Sequence, residues 1–278
     1  MAIKLVAMDL DETLLGESFQ ISARNHQAIR QARELGVKVT IATGRMYKSC
    51  LPYARELNLD MPFATYHGAM VKALDADEPL IYHPVEYEMA KDIVAAAEKF
   101  GYHINLYLND NVYIREENRF SELYKTITSV EAHAVGSLAN FLDKEGKEPP
   151  KLTIIDFEGH LEKMEEYLEE NCQGRITITK SHRYFLEITD LRATKGQAIK
   201  SLAEKMGIEA EEVMTIGDSY NDIDMLQYAG LGVAVSNARD KVKENADVIT
   251  GSHLEDGVAE ALEKYVIYQQ DGSLPEIK

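Results

Sequence analysis

Three acidic residues and one lysine carry most of the chemical content of this chain. Asp9 and Asp11 follow the apolar run IKLVAM, and Asp218 ends a second run, VMTIG. Two carboxylates one residue apart repel each other and are costly to desolvate. A hard cation removes both objections. Oxygen ligands suit Mg²⁺, and the eight scattered histidines form no zinc-like spacing. Lys195 and Thr43 offer a cation and a hydroxyl donor, and backbone N–H groups near Leu10 and Gly44 extend an anion cradle. A metal, an anion cradle and a spare carboxylate are the equipment of phosphoryl transfer through an aspartyl-phosphate.

These residues can act together only if the elements carrying them bring them together. Ile3 to Met8 reads as a buried strand, being short and without polar alternation. Ser22 can cap a helix bearing Ile29, Ala32 and Leu35 on one face, with Gly36 as its stop. "VKVTIAT" is a second strand ending at Thr43-Gly44-Arg45. Pro52 then kinks the following helical stretch or marks its first turn. "MPFATY" is a third strand, before His67-Gly68. Lys195 to Met206 reads as a helix with Ile199, Leu202, Ala203 and Met206 inward, closed by Gly207. "VMTIGD", "LGVAV" and "ADVIT" supply further short strands.

This alternation predicts an α/β fold, a doubly wound parallel-sheet, Rossmann-like core with right-handed crossovers. Ligands in such sheets bind beyond the carboxyl ends of the strands, where Asp9, Asp11, Thr43 and Asp218 all fall. Lys195 opens a helix, where a cation opposes the dipole and asks for an anionic partner; Asn221 and Asp222 follow the last acidic strand end. The middle has another texture. "INLYLNDNVYIRE" is a hairpin turning at Asn109 to Asn111, and "KLTIIDF", a helix over 161–169 and "ITITKSHRYFLEIT" complete a mixed unit. "DKEGKEPPK" reads as a loop. The expected organisation is a core of 1–81 and 190–278 with an inserted α+β cap domain, 82–189.

Composition narrows the partners. The 278 residues hold 47 acids against 30 bases, a net charge of −17, which argues against nucleic acid and against anionic membranes. Cys50 and Cys172 lie far apart and are expected as buried free thiols. The apolar N-terminal stretch is too short for a signal peptide and no segment is long enough to span a bilayer, so a cytoplasmic location is expected. No protein partner is evident.

The motifs "DLDET", the Thr of "IATGR", "ATKGQAI" and "GDSYNDIDML", in that order, resemble the haloacid-dehalogenase-like hydrolases, and the whole chain resembles their Cof-type sugar-phosphatase branch. The resemblance implies Asp9 as nucleophile, and Asp11 as general acid and then base, a role that needs a proton on Asp11. It implies Thr13 as support for the acidic loop, and Thr43 and Gly44 as holders of phosphoryl oxygens. Lys195 would neutralise Asp9 and phosphate, and Asn221 would contact phosphate. Asp9, Asp218 and the backbone carbonyl of Asp11 would hold Mg²⁺, and Asp222 would orient Lys195 or a metal-bound water. Three positions depart from the family pattern. Glu12 stands for the usual Gly and is expected to point outward, His67 for the usual Asn, and Ser236 for a small residue.

The bland readings are a strand-end turn pair for Asp9 and Asp11 and hairpin packing for Tyr107, Tyr113 and Tyr184, while Arg45 reads equally as a substrate contact or a solvated helix-start residue. The expected function is a Mg²⁺-dependent phosphatase for a small phosphorylated metabolite. A phosphomutase or phosphotransferase using the same Asp9, or a phosphate-binding module without turnover, are the alternatives. The cap is expected to close over the crevice, with loops near Asn109 to Asn111 or His182 to Tyr184 reading the leaving group.

Overall fold

The computed structural model describes residues 2–158, 160–182 and 184–268. The chain divides into two compact units. The first comprises the described parts of Met1–Arg45, Cys50–Ile81 and Thr194–Lys278, and the second Met46–Ser49 and Tyr82–Ala193.

The first unit is an α/β layer structure. Its strands are β1 (Leu5–Met8), β2 (Lys38–Ile41), β3 (Phe63–Thr65), β4 (Met70–Lys72) and β5 (Ile81–Tyr82), the last at the exit of the chain from this unit. α1 (Ala23–Glu34) lies between β1 and β2, and α2 (Tyr47–Glu56) follows β2. Ser22 caps α1 by accepting the N–H of Asn25 at 3.1 Å, as its residue type predicts. Pro52 sits inside α2 rather than at its first turn.

The second unit holds α3 (Tyr87–Phe100), β6 (His103–Leu108), β7 (Asn111–Ile114), α4 (Arg119–Thr128), β8 (Ala132–Ala134), α5 (Leu138–Glu145), β9 (Leu152–Ile155), α6 (Glu162–Cys172), β10 (Ile176–His182) and β11 (Phe185–Asp190). The first unit then resumes with α7 (Lys195–Met206), β12 (Val213–Gly217), α8 (Ile223–Tyr228), β13 (Leu231–Val235), α9 (Asp240–Lys243), β14 (Val248–Thr250) and α10 (Gly257–Leu262).

Five strands of the first unit form one parallel sheet in the order β14-β13-β12-β1-β2. β1 is an interior strand, between β12 and β2, and wholly buried, which is why it reads as a continuous apolar run rather than an alternating one. Register decides what this sheet presents. Met8 is level with Ile216 of β12 on one side and with Ile41 of β2 on the other. Asp9, Asp218 and Thr43 therefore leave the sheet at the same carboxyl edge. On one face of the sheet, Ile199, Leu202 and Ala203 of α7 pack with Leu5, Val213 and Met225, most of the inward stripe that the spacing of α7 predicts, but Met206, expected inward, is exposed at the end of the helix.

In the second unit a six-stranded mixed sheet runs β10-β11-β9-β6-β7-β8, antiparallel except for the β7–β8 pair. Ile93, Leu106, Leu142, Ile154, Leu168 and Leu186 join its helices to one sheet face. The β6–β7 hairpin turns at Asn109 and Asp110, both with positive φ as a tight two-residue hairpin turn demands. Two local expectations need correction. "DKEGKEPPK" is not all loop, because α5 runs through Glu145 and stops only at the left-handed Gly146. The helix expected over 161–169 begins at Glu162 and continues to Cys172. Both free cysteines are buried.

Candidate active site

The site grows from the carboxyl edge of the parallel sheet. Asp9 is buried, and its Oδ1 accepts a 2.7 Å hydrogen bond from Lys195 Nζ. The same ammonium donates to Asp222 Oδ1 at 2.5 Å. The anionic partner that Lys195 requires at the start of α7 is therefore a pair of carboxylates. The side chains of Lys195 and Asp222 are 1% and 0% exposed, so neither charge could persist there alone.

Asp222 is fixed at its other oxygen, where Oδ2 accepts the N–H groups of Asp218 (3.0 Å) and Ser219 (2.9 Å). That closeness depends on Gly217, since a Cβ there would lie 2.6 Å from Asp222 Cβ. Asp218 in turn accepts Thr13 Oγ1 at 2.8 Å on Oδ1 and Ser219 Oγ at 3.0 Å on Oδ2. Thr13 thus reaches across from the first loop to hold the third acid, by a specific bond that the sequence did not specify.

One lysine does not neutralise this many acids. Burial pushes the Asp9 carboxyl well above its ordinary range; Lys195 opposes that, while Asp222, Asp218 and Asp11 add to it. Burial, then the charge of Asp222, pushes Asp218 up to about 6 against the hydrogen bond from Thr13, the charge of Lys195 and the bond from Ser219. Burial opposes the charge of Lys195, but Asp222 and Asp9 more than compensate and raise it. Asp9, Asp218 and Asp222 each place a carboxylate oxygen within 4.8 Å of the others. A buried, oxygen-only, charge-excessive cluster is the donor chemistry of a hard divalent cation.

Beside the acids, Thr43 ends the β2 segment. Its Oγ1 accepts the Arg45 N–H at 3.2 Å, which leaves the hydroxyl hydrogen to be donated elsewhere. Its carbonyl accepts the N–H of His67 at 3.0 Å. The imidazole of His67 lies directly over Gly44, where an added Cβ would sit 2.7 Å from Nε2. Only glycine admits it. Asn221 Nδ2 lies 3.0 Å from His67 Nδ1, joining the loop after β12 to the one after β3.

The expected residues therefore gather in one place. Asp9, Thr13, Thr43, Lys195, Asp218 and Asp222 are buried together, and Asn221 joins them through His67. Leu10 is buried and its carbonyl accepts Leu15 N–H at 2.9 Å. Glu12 is exposed, as expected, in a left-handed conformation (φ 56°), and its carbonyl accepts Asn237 Nδ2 at 2.8 Å. Ser236 is exposed. Asp11 differs from the others. Its side chain is 43% exposed and pairs with Arg45 through two hydrogen bonds of 2.8 and 2.5 Å. Arg45 is consequently neither a solvated helix-start residue nor a bare cation. Residue 183, within the expected substrate-reading loop, lies outside the described residues, as do the side chains of Ser181 and His182. Tyr107 is buried in the second unit against Tyr124, at 2.5 Å between hydroxyls, in keeping with packing rather than recognition.

Sequence reasoning missed two residues here, Ser219 on Asp218 and Asp224 at the start of α8, which accepts the N–H of Gly196 at 2.8 Å, and it missed the link between His67 and Asn221. The polar run "GDSYNDID" after an apolar strand was the available signal. In the second unit a cavity is lined by Pro84, Glu86, Met89, Arg175 and Arg192 among others. Its charged groups pair among themselves, Arg175 with Glu86 at 3.5 Å and Arg192 with Asp190 at 2.7 Å. No helix among the described residues is long and apolar enough to cross a membrane.

The chain resembles known proteins in sequence and in fold. The family profile described as haloacid dehalogenase-like hydrolase matches residues 6–262. The chain is 34% identical over 269 residues to the 5-amino-6-(5-phospho-D-ribitylamino)uracil phosphatase YcsE of Bacillus subtilis, covering 95% of this chain and 96% of that one. A haloacid dehalogenase-like hydrolase from Bacteroides thetaiotaomicron superposes with a TM-score of 0.85 at 29% identity, over 94% of this chain and 98% of its own. The subclass IIB sugar phosphatase BT4131 superposes with a TM-score of 0.80 at 27% identity, over 98% and 100%.

Proposed function

The chain belongs to the haloacid dehalogenase-like hydrolases, in their Cof-type branch, and is an enzyme of the phosphatase kind; on that premise we propose that it hydrolyses small phosphorylated metabolites, sugar and sugar-alcohol phosphates first among them, through an aspartyl-phosphate on Asp9 and with Mg²⁺ as cofactor. The observation that carries the reading is the buried Lys195 ammonium shared between Asp9 and Asp222, with Asp218 held beside them by Thr13 and Ser219.

The residues present fit the cation. Asp9, Asp218 and Asp222 bring carboxylate oxygens close together, and, as the family resemblance implies, Asp9, Asp218 and the backbone carbonyl of Asp11 would hold Mg²⁺ while Asp222 stays bonded to Lys195 and two backbone N–H groups. When bound, the ion would offset the charge of the acids and of the phosphoryl oxygens. Asp9 attacks phosphorus; Lys195 orients its carboxylate by the 2.7 Å bond, and with the cation it would favour the ionised form that burial opposes. The hydroxyl of Thr43, turned by the Arg45 N–H, donates to a phosphoryl oxygen, and the Thr43–Gly44 backbone turn frames the group. Asp11 gives a proton to the departing alkoxide, then takes one from the water that cleaves the aspartyl-phosphate. Asp222 holds Lys195 against the pull of both negative charges. The relatives' printed names, a ribitylaminouracil phosphatase and a sugar phosphatase, support testing sugar and sugar-alcohol phosphates first.

The test is phosphate release from a panel of sugar, sugar-alcohol, nucleotide and pyridoxal phosphates, with Mg²⁺ and then with EDTA. Metal-dependent release with a rank order led by polyol phosphates is the expected result. No release from any compound, or undiminished release in EDTA, would overturn the proposal.

A further inference from the structure

We infer that Arg45 is a positioning residue for the acid/base step: its guanidinium fixes the plane and direction of the Asp11 carboxylate, and Phe19 and Tyr53 fix the guanidinium. The inference rests on the role proposed above for Asp11. Arg45 Nε donates to Asp11 Oδ2 at 2.8 Å and the adjacent terminal nitrogen donates to Oδ1 at 2.5 Å. Two parallel bonds of this kind set both the rotamer and the plane of a carboxylate, which one lysine cannot do. The fork is itself held on both sides. The guanidinium carbon lies 5.6 Å from the Phe19 ring centroid and 5.3 Å from that of Tyr53, within cation–π range. Tyr53 Oη completes the clasp by donating to the Phe19 carbonyl at 3.1 Å.

Phe19 supplies a second, independent indication. It is 57% exposed and holds a left-handed φ of 54°, a conformation and an exposure that are both unfavourable for phenylalanine. Its ring covers Arg45, which gives that unfavourable arrangement a purpose. All four groups belong to the first unit and come from separate stretches: the first acidic loop, the loop before α1, the end of the β2 segment, and α2. Asp11 is the most exposed of the site acids, so its direction is not set by packing and depends on this clasp.

The experiment compares kcat/KM for two substrates in wild type, Arg45→Ala, Arg45→Lys, Asp11→Asn and the Arg45→Ala/Asp11→Asn double variant. One substrate is the best sugar phosphate of the panel, whose alkoxide must be protonated as it leaves. The other is p-nitrophenyl phosphate, whose phenolate departs unaided. Arg45→Ala is expected to lower kcat/KM on the sugar phosphate by about a hundredfold, and at least tenfold more than on p-nitrophenyl phosphate. Arg45→Lys should show the same selective loss, because charge without the fork does not orient Asp11. In the Asp11→Asn background, Arg45→Ala should add almost nothing. Equal losses on both substrates, or a loss that adds to that of Asp11→Asn, would overturn the inference and make Arg45 a direct substrate contact. Should Arg45→Ala not fold, Arg45→Lys and Tyr53→Phe read the same selectivity. Wild type that hydrolyses neither substrate overturns the proposed function itself, a failure separate from that of the clasp.

Discussion

Asp9, Asp218 and Asp222 face one ammonium, and that arithmetic governs the behaviour of the individual residues. Asp9→Asn keeps the size and one hydrogen-bond acceptor but removes the nucleophile; turnover should fall more than about a thousandfold with the circular dichroism spectrum unchanged. Surviving turnover would remove Asp9 from its role. Burial and the charge of Asp222 hold Asp218 up at about 6 despite Thr13, Lys195 and Ser219, and this predicts the pH dependence of the cation. A carboxyl raised in the fold keeps a proton that the unfolded chain has lost. This group therefore makes the metal-free protein less stable as pH rises from about 4 through about 6. A cation must displace that proton, so Mg²⁺ should raise the melting temperature more at pH 8 than at pH 5. Asp218→Ala should abolish the difference. An equal Mg²⁺ shift at both pH values in wild type would contradict the assignment.

At the scale of elements, the loop after β1 shows how local strain serves position. Leu10–Leu14 forms a wide turn closed by the Leu15 N–H on the Leu10 carbonyl, in which Asp11 is extended and Glu12 alone takes the left-handed region, and within it Thr13 returns to Asp218. A residue with a Cβ bears about 1 kcal/mol of strain there, which glycine relieves. The side chain of Glu12 is exposed, so Glu12→Gly should raise the melting temperature by about 2 °C. A fall would mean that the side chain makes a contact worth more than the strain. α7 illustrates the converse. Its N-cap Thr194 and terminal Gly207 are ordinary stops, yet its first residue is a cation that only the neighbouring loops make tenable.

Across the whole molecule the charge of −17 opposes an anionic substrate, while Lys195 and the proposed cation attract it only at short range. Salt screens the first effect more than the second, because the site charges are buried. Raising the ionic strength from about 0.02 to about 0.2 M should therefore raise kcat/KM for a phosphate dianion, by about twofold. A steep fall with salt would point to a basic surface steering the substrate, and the acidic composition would then mislead.

Much of this was legible in the chain itself. The uninterrupted apolar runs before Asp9 and Asp218 announce parallel strands buried on both faces, and the strand–helix alternation fixes which ends carry ligands. Lys195 at a helix start declares an unmet charge, because the dipole is a property of any helix. Which anions meet that charge is not local. The partners of Lys195 stand 186 residues before it and 27 after it, and only the β1–β12 register makes them neighbours. Arg45 is the sharpest case. Its sequence neighbours are equally compatible with solvent, substrate or an ion pair, and the choice was made by Asp11, Phe19 and Tyr53 arriving from three other segments. Sequence determines the period of burial and the chemistry at element ends, because both are read from a few adjacent residues. Tertiary structure decides the hydrogen-bond partners, because a side chain bonds whatever the fold brings within about 3 Å of it.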